Sequence, residues 1–290
     1  MVKELLISFL YICSTLKHII MKRTIYALFI ITGIILFSSA FSPAQEKWKS
    51  LFNGKDLSGW ETYVGPKEKD SKPLGLNNDP MKLFSVVELD GGKVLRISGE
   101  INASIATKDE FENYHLVMEF KWGEKVYTRY NSGLLYHSYG DFGAAHGVWM
   151  NSHEFQLFTG NIGDSYRMGN TCCEIPTLKN SEGRYVYNKK GEITESKPKS
   201  ELVIVAKDRD YEKPKGEWNK IELYCYGRTS VHVVNGNVNM INFKSGKYLD
   251  GGIVEPLSKG KIQIQSEGGE LFVRNIKICP INQIPAELLK

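Results

Sequence analysis

The chain is 290 residues long, with 37 basic and 33 acidic side chains and a formal charge of +4. Residues 1–44 hold four of those basic residues and one acidic one, so most of the excess charge belongs to the N-terminus. No basic field remains over the rest of the chain to attract nucleic acid.

From the N-terminus, Leu5–Leu16 is a short apolar stretch, and Ile25–Phe41 is a longer one behind Met21-Lys22-Arg23. The second ends in small residues, Ser38-Ser39-Ala40 and Ser42-Pro43-Ala44. A cationic start, an apolar run and a small-residue site describe a secretory signal. We expect translation to start at Met21, cleavage after Ala40 or Ala44, no stable membrane insertion afterwards, and a periplasmic or secreted protein. Residues 45–290 then form one domain, long enough to bury about 70–75% of its unfolded surface. Its cysteines, Cys172, Cys173, Cys225 and Cys279, have no zinc-type spacing and are expected as free, half-buried thiols.

Beyond residue 48 the pattern is strands and turns. Tyr114–Lys121 sets Tyr114, Leu116, Met118 and Phe120 against His115, Val117, Glu119 and Lys121. His153–Phe158 sets Phe155 and Leu157 against Glu154 and Gln156. Trp218–Tyr226 turns Ile221, Leu223 and Cys225 inward; Val231–Val234 meets Asn235-Gly236, a two-residue hairpin signal, and Val238–Ile241 returns. Lys261–Gln265 alternates Ile262 and Ile264 with Gln263 and Gln265, and Leu271–Ile278 is the last strand. Alternation with period two means one covered face per strand, hence an all-β sandwich or jelly roll of antiparallel sheets. Long loops are expected at Val64–Pro80, Tyr139–Asn151 and Asn180–Ser200, the last covering an opening. If the polar sides (Glu119/Lys121, Glu154/Gln156, Tyr224/Tyr226, Gln263/Gln265) share one sheet, they make a groove suited to a sugar. Otherwise each simply faces water.

Four stretches carry a resemblance: Leu51–Trp60 (LFNGKDLSGW); Tyr114–Asp164 with Asn131-Ser132-Gly133-Leu134-Leu135-Tyr136-His137 and His153-Glu154-Phe155-Gln156; Lys215–Asn219 with the Asn235-Gly236 hairpin; and Gly260–Ile278. Together and in this order they resemble the 3-keto-disaccharide hydrolase family, also called 3-keto-glucoside lyases or hydratases. The resemblance implies a concanavalin A-like jelly roll, export, and action on oxidised glucosides. There are two departures. Cys172-Cys173-Glu174 and Ser266-Glu267 stand where many members carry a Gly-Ala-Ile/Leu-Tyr stretch and Asp-His, which opens the identity of the local acid or base.

A ketone at C3 acidifies the C2 proton. A base removes it, the C1 substituent leaves, and an enone remains that water can hydrate. Glu154 and His137 are the expected acid/base pair. Lys121, Asn131 and Gln156 are placed as hydrogen-bonding or enolate-stabilising groups, and Asp164 and Glu267 as binders of sugar hydroxyls. Arg274 is set to pair with Asp164 or Glu267. No cofactor is expected. His137, His146 and His153 near Glu154 and Asp164 match no defined metal motif, so no metal is assigned. The expected partner is a sugar substrate. A two-carboxylate glycosidase and a non-catalytic glycan-binding module remain open beside the 3-keto reading.

Overall fold

The computed structural model describes residues 47–68, 70–198 and 202–290, with Leu16 and Met21; the expected export signal lies outside the described residues. Lys47–Lys290 forms one compact unit. Among the described residues no helix is long and apolar enough to cross a membrane.

All ladders between its strands are antiparallel, and the strands form a jelly-roll sandwich of two sheets. The twelve-stranded sheet runs from Tyr185–Tyr187 through Thr171–Lys179, Asn237–Tyr248, Thr229–Val234, Asn219–Tyr226, Tyr114–Val126, Gly269–Pro280 and Gly92–Ile97 to Phe84–Leu89. The nine-stranded sheet runs from Ile204–Val205 through Ser165–Met168, Asn151–Gln156, Gly133–Tyr139, Lys259–Ser266, Ala103–Thr107 and Trp60–Pro66 to Pro73–Leu76. Between them lies the main core. Leu116, Met118, Phe120, Ile221 and Leu223 of one sheet meet Leu134, Tyr136, Phe155, Ile262 and Ile264 of the other. All but Leu134 and Tyr136 are inward members of the alternations read from sequence, because burying them removes the largest apolar area from water.

The hairpin at 235–236 forms as expected, with φ of 48° at Asn235 and 82° at Gly236 between Thr229–Val234 and Asn237–Tyr248. Two of the expected loops contain strands: Pro73–Leu76 in the first, Tyr185–Tyr187 and Glu192–Ser196 in the third. Both additions pair at sheet margins, where backbone pairing and not side-chain alternation supplies the order. Cys172, Cys173 and Cys225 are free thiols, and all four cysteines are buried instead of half-buried.

The Leu51–Trp60 stretch is a structural clasp. Asn53 Oδ1 accepts from the amides of Lys55 (2.8 Å) and Asp56 (3.0 Å), and Asp56 Oδ1 accepts from the Asn53 amide group (2.7 Å) and the Ser58 amide (2.9 Å). A hydrogen bond from the Ser58 side chain, with those from the Asn53 side chain and the Ser58 amide, holds the Asp56 carboxyl down at about 2. These bonds fold the turn so that the Trp60 indole enters the core and donates to Leu51 O at 2.7 Å.

Candidate functional site

On the nine-stranded sheet, the face turned away from the core carries a cavity of about 660 Å3. That volume falls in the range of about 300–1,000 Å3 for small-molecule sites. Glu154, Gln156, Asn131, Asp164 and Glu267 all line it, so five of the seven expected site residues meet in one place.

Glu154 is brought there by strand parity. Phe155 enters the core, so its neighbour must face the other way; Glu154 is only 2% exposed and its Oε1 has no hydrogen-bond partner. Burial drives its carboxyl well above the usual range, and the negative charge of Glu267 adds to the effect. Room for it comes from Gly133 on the adjoining strand. A Cβ at Gly133 would lie 2.3 Å from Glu154 Oε1 and 2.5 Å from Gln265 Oε1.

Glu267 follows the end of the Lys259–Ser266 strand. Burial raises its carboxyl to about 7, against the opposing pull of the Arg129 guanidinium and a hydrogen bond from Asn131. Asn131 keeps its Oδ1 buried and unpartnered toward the cavity. Asp164 is raised to about 6, chiefly by burial, while the Lys207 amide donates to its Oδ1 at 2.8 Å. Gln156 uses its side-chain oxygen locally, accepting from the amides of Leu157 (2.9 Å) and Phe158 (3.0 Å). Its NH2 group is left as the donor.

Two expected site residues lie elsewhere. His137 is 1% exposed and is turned into the sandwich, edge-on to Tyr114 and Tyr136, with neither ring nitrogen partnered. The cause is a β-bulge. Leu135 pairs with Gln263 and Ser138 with Lys261, so the Gly133–Tyr139 strand carries one residue more than its partner. His137 takes φ of 50° there, and the face on which simple alternation would put it is lost. Burial depresses its imidazole to about 3, so it is neutral and unsuited to proton transfer near pH 7. Lys121 sits on the outer face of the other sheet, its Nζ 2.6 Å from Asp90 and over the Trp218 ring. Arg274 does not reach Asp164 or Glu267: its Nε donates to Glu119 at 2.6 Å on that same outer face, because its strand belongs to the other sheet.

Sequence reasoning missed several lining residues. Arg129 lies above the Phe158 ring, 5.5 Å from its centre, and its charge reaches Glu267. Trp149 and His146 come from the Tyr139–Asn151 loop, and Arg184 and Tyr185 from the third loop, which does reach the opening. Tyr166 and Ile204 complete the wall at the sheet edge. Only Tyr166 had a legible signal, as a strand residue opposite Glu154.

Among the described residues, no group of three or more His, Cys, Asp or Glu is placed to hold a metal ion. Of the three histidines considered for one, His146 lines the cavity, His137 is in the core, and His153 Nε2 lies 2.8 Å from Ser245 Oγ. The arrangement can bind hydroxyls through unpartnered oxygens and move protons between carboxyls of unequal acidity.

Several solved structures are similar to this chain. A candidate glycosyl hydrolase of Parabacteroides distasonis ATCC 8503 is 23% identical, with a TM-score of 0.46, over 81% of this chain and 100% of that one. A second from the same organism is 17% identical, with a TM-score of 0.43, over 81% and 94%. A Bacillus subtilis protein with a galectin-like fold is 13% identical, with a TM-score of 0.42, over 80% and 94%. No curated protein matched the sequence. Residues 47–279 match the 3-keto-alpha-glucoside-1,2-lyase-like domain, and the chain belongs to that carbohydrate-active family.

Proposed function

We propose that this protein is an exported enzyme that cleaves 3-keto-glucosides by C2 deprotonation and elimination, with net hydrolysis where water then adds to the enone. The observation that carries the reading is the sharing of one cavity by Glu154 and Glu267, a buried and a partly buried carboxyl whose surroundings set them to different acidities. Unequal neighbours of this kind divide acid and base roles. The family match over residues 47–279 supports a 3-keto-glucoside as substrate, and the signal-like pattern before Ala44 supports export to the periplasm or medium.

Glu267, poised near neutrality, takes the C2 proton. The C–H electron pair enters the enolate and then forms the C1–C2 double bond as the C1–O bond breaks with its pair on the departing oxygen. Glu154, its carboxyl held toward the protonated form by burial and by the charge of Glu267, gives that oxygen its proton. Charge building on the C3 oxygen meets the Arg129 guanidinium and the Gln156 NH2 group. A placed base or acid contributes about 10²–10⁴-fold, and oxyanion stabilisation often as much again. The pair is reset by proton exchange with solvent.

The same carboxyls also favour a second reading, a glycosidase acting on unoxidised sugars, with an acid and a nucleophile or base. One assay divides them. The protein is incubated in deuterated water with a 3-keto-glucoside and with its parent. Exchange at C2 or enone absorbance from the keto compound alone is expected. Cleavage of the parent would establish the glycosidase, and binding of either without turnover a glycan-binding module.

A further inference from the structure

Across the cavity face, cross-strand partners form a single row. Ile204 stands opposite Tyr166, Tyr166 opposite Glu154, and Glu154 opposite Leu135. Residues directly opposite each other share a face. Consistent with that, Tyr166, Glu154 and Ile204 all line the cavity, while their strand neighbours Phe155 and Val205 are buried on the other side. Strands are about 4.8 Å apart, so the row leads in about 10 Å from the Glu154 carboxyl to the sheet edge at Ile204.

The two directions away from Glu154 differ in chemistry. Toward Gly133, the wall offers Gln265 Oε1 and Asn131 Oδ1, buried acceptors without partners, and then Glu267. A ring bearing hydroxyls finds its hydrogen bonds there. Toward the edge, the wall is the Tyr166 and Tyr185 rings with Leu202, Met168, Ile204 and Ala206, and the polar groups there, Asp164 and Arg184, are already engaged by the Lys207 amide and by Glu182. Leu202 and Met168 are buried, yet Ile204 is 47% exposed at the mouth, next to the site instead of sealed in a core. Hydroxyls placed against these aliphatic side chains would leave water with nothing to replace it.

Building on the elimination reading, we propose that the group leaving from C1 is an aromatic or alkyl aglycone seated over Tyr166 and Ile204, and not a second sugar. Glu154 then stands between the two halves of the substrate, where the departing oxygen would be. The bond that breaks is C1–O, its electron pair goes to the aglycone oxygen, and the proton from Glu154 completes a phenol or alcohol.

The test uses the full chain with a phenyl 3-keto-glucoside and a 3-keto-disaccharide of the same anomeric configuration. The phenyl compound should have the higher kcat/KM. Ile204→Asn should lower that value about 10-fold, through KM, and leave the disaccharide within about twofold, since losing an apolar contact in a pocket discriminates at this scale. Preference for the disaccharide, or an equal effect of Ile204→Asn on both, overturns the proposal. If neither compound turns over, the elimination reading fails by itself. Calorimetric binding of unoxidised phenyl glucoside and disaccharide then decides the subsite: tighter phenyl binding that Ile204→Asn removes supports it, and equal or reversed binding overturns it.

Discussion

The outer face of the twelve-stranded sheet and the cavity face of the nine-stranded sheet arise from the same alternation of polar and apolar residues, and they end in opposite electrostatic states. On the first, every prominent carboxylate has a cation: Glu119 with Arg274 at 2.6 Å, Asp90 with Lys121 at 2.6 Å, and Glu222 with Lys220 at 2.6 Å and His115 at 2.9 Å. There His115, hydrogen-bonded to Glu222, holds its carboxyl down at about 2. On the second face, Glu154, Glu267 and Asp164 have no ion pair within 4 Å among the described residues, and burial pushes all three up. A polar strand face becomes a candidate site when loops take its carboxyls out of water without giving them close ion pairs.

The largest effect expected from this contrast is on turnover. Glu267→Gln should reduce C2 exchange, and Glu154→Gln release of the C1 substituent, each by about 10²–10⁴-fold with circular dichroism unchanged. Activity within twofold of wild type in both would remove the carboxyl pair from the chemistry. In the wild type, kcat/KM should rise with pH through about 7 as Glu267 loses its proton, and that limb should vanish in Glu267→Gln.

Stability should respond to pH with opposite signs on the two faces. The folded Glu267 binds its proton more tightly than the unfolded chain does, so its contribution is complete below about 4.5 and is lost as pH rises through about 7. That loss amounts to about 3 kcal/mol from the difference in proton affinity. Glu222 behaves in reverse: its contribution is present above the unfolded value and is lost as pH falls through about 2. Thermal melts of wild type and Glu267→Gln between pH 4.5 and 8 check the first sign; parallel curves would refute it.

Gly133→Ala should cost about 1–3 kcal/mol of stability, because the methyl enters the space of the Glu154 carboxyl. It should also lower turnover more than it lowers substrate binding. The smallest effect is expected on the outer face. Lys121→Ala should change stability by about 0–1 kcal/mol and leave turnover unchanged, which urea titration and the exchange assay would test together.

Much of this was legible in the sequence. The inward sets Leu116/Met118/Phe120 and Ile262/Ile264, the Asn235-Gly236 hairpin, and the direction of Glu154 against Phe155 all follow from period-two alternation. The site was legible only in part. The groove expected from four pairs of polar residues divides between two sheets: Glu154/Gln156 and Gln263/Gln265 on one, Glu119/Lys121 and Tyr224/Tyr226 on the other. Alternation fixes which side of its own strand a residue takes and says nothing about which sheet that strand joins. The most distinctive stretch, Leu51–Trp60, seats Trp60 in the core, and no residue of it lines the cavity.

What the sequence determined by itself is the all-β class, the inward face of each regular strand, and the resemblance the family match bears out, because these depend on local order along the chain. Only the tertiary structure decided that Glu267 joins Glu154, that the charge of Arg129 reaches Glu267, and that His137 stays out of the cavity. Each of those outcomes rests on strand neighbours far apart in the chain, or on one extra residue in a ladder. Pairing across a sheet, and the burial that comes with it, set the acidity and company of every group in the cavity.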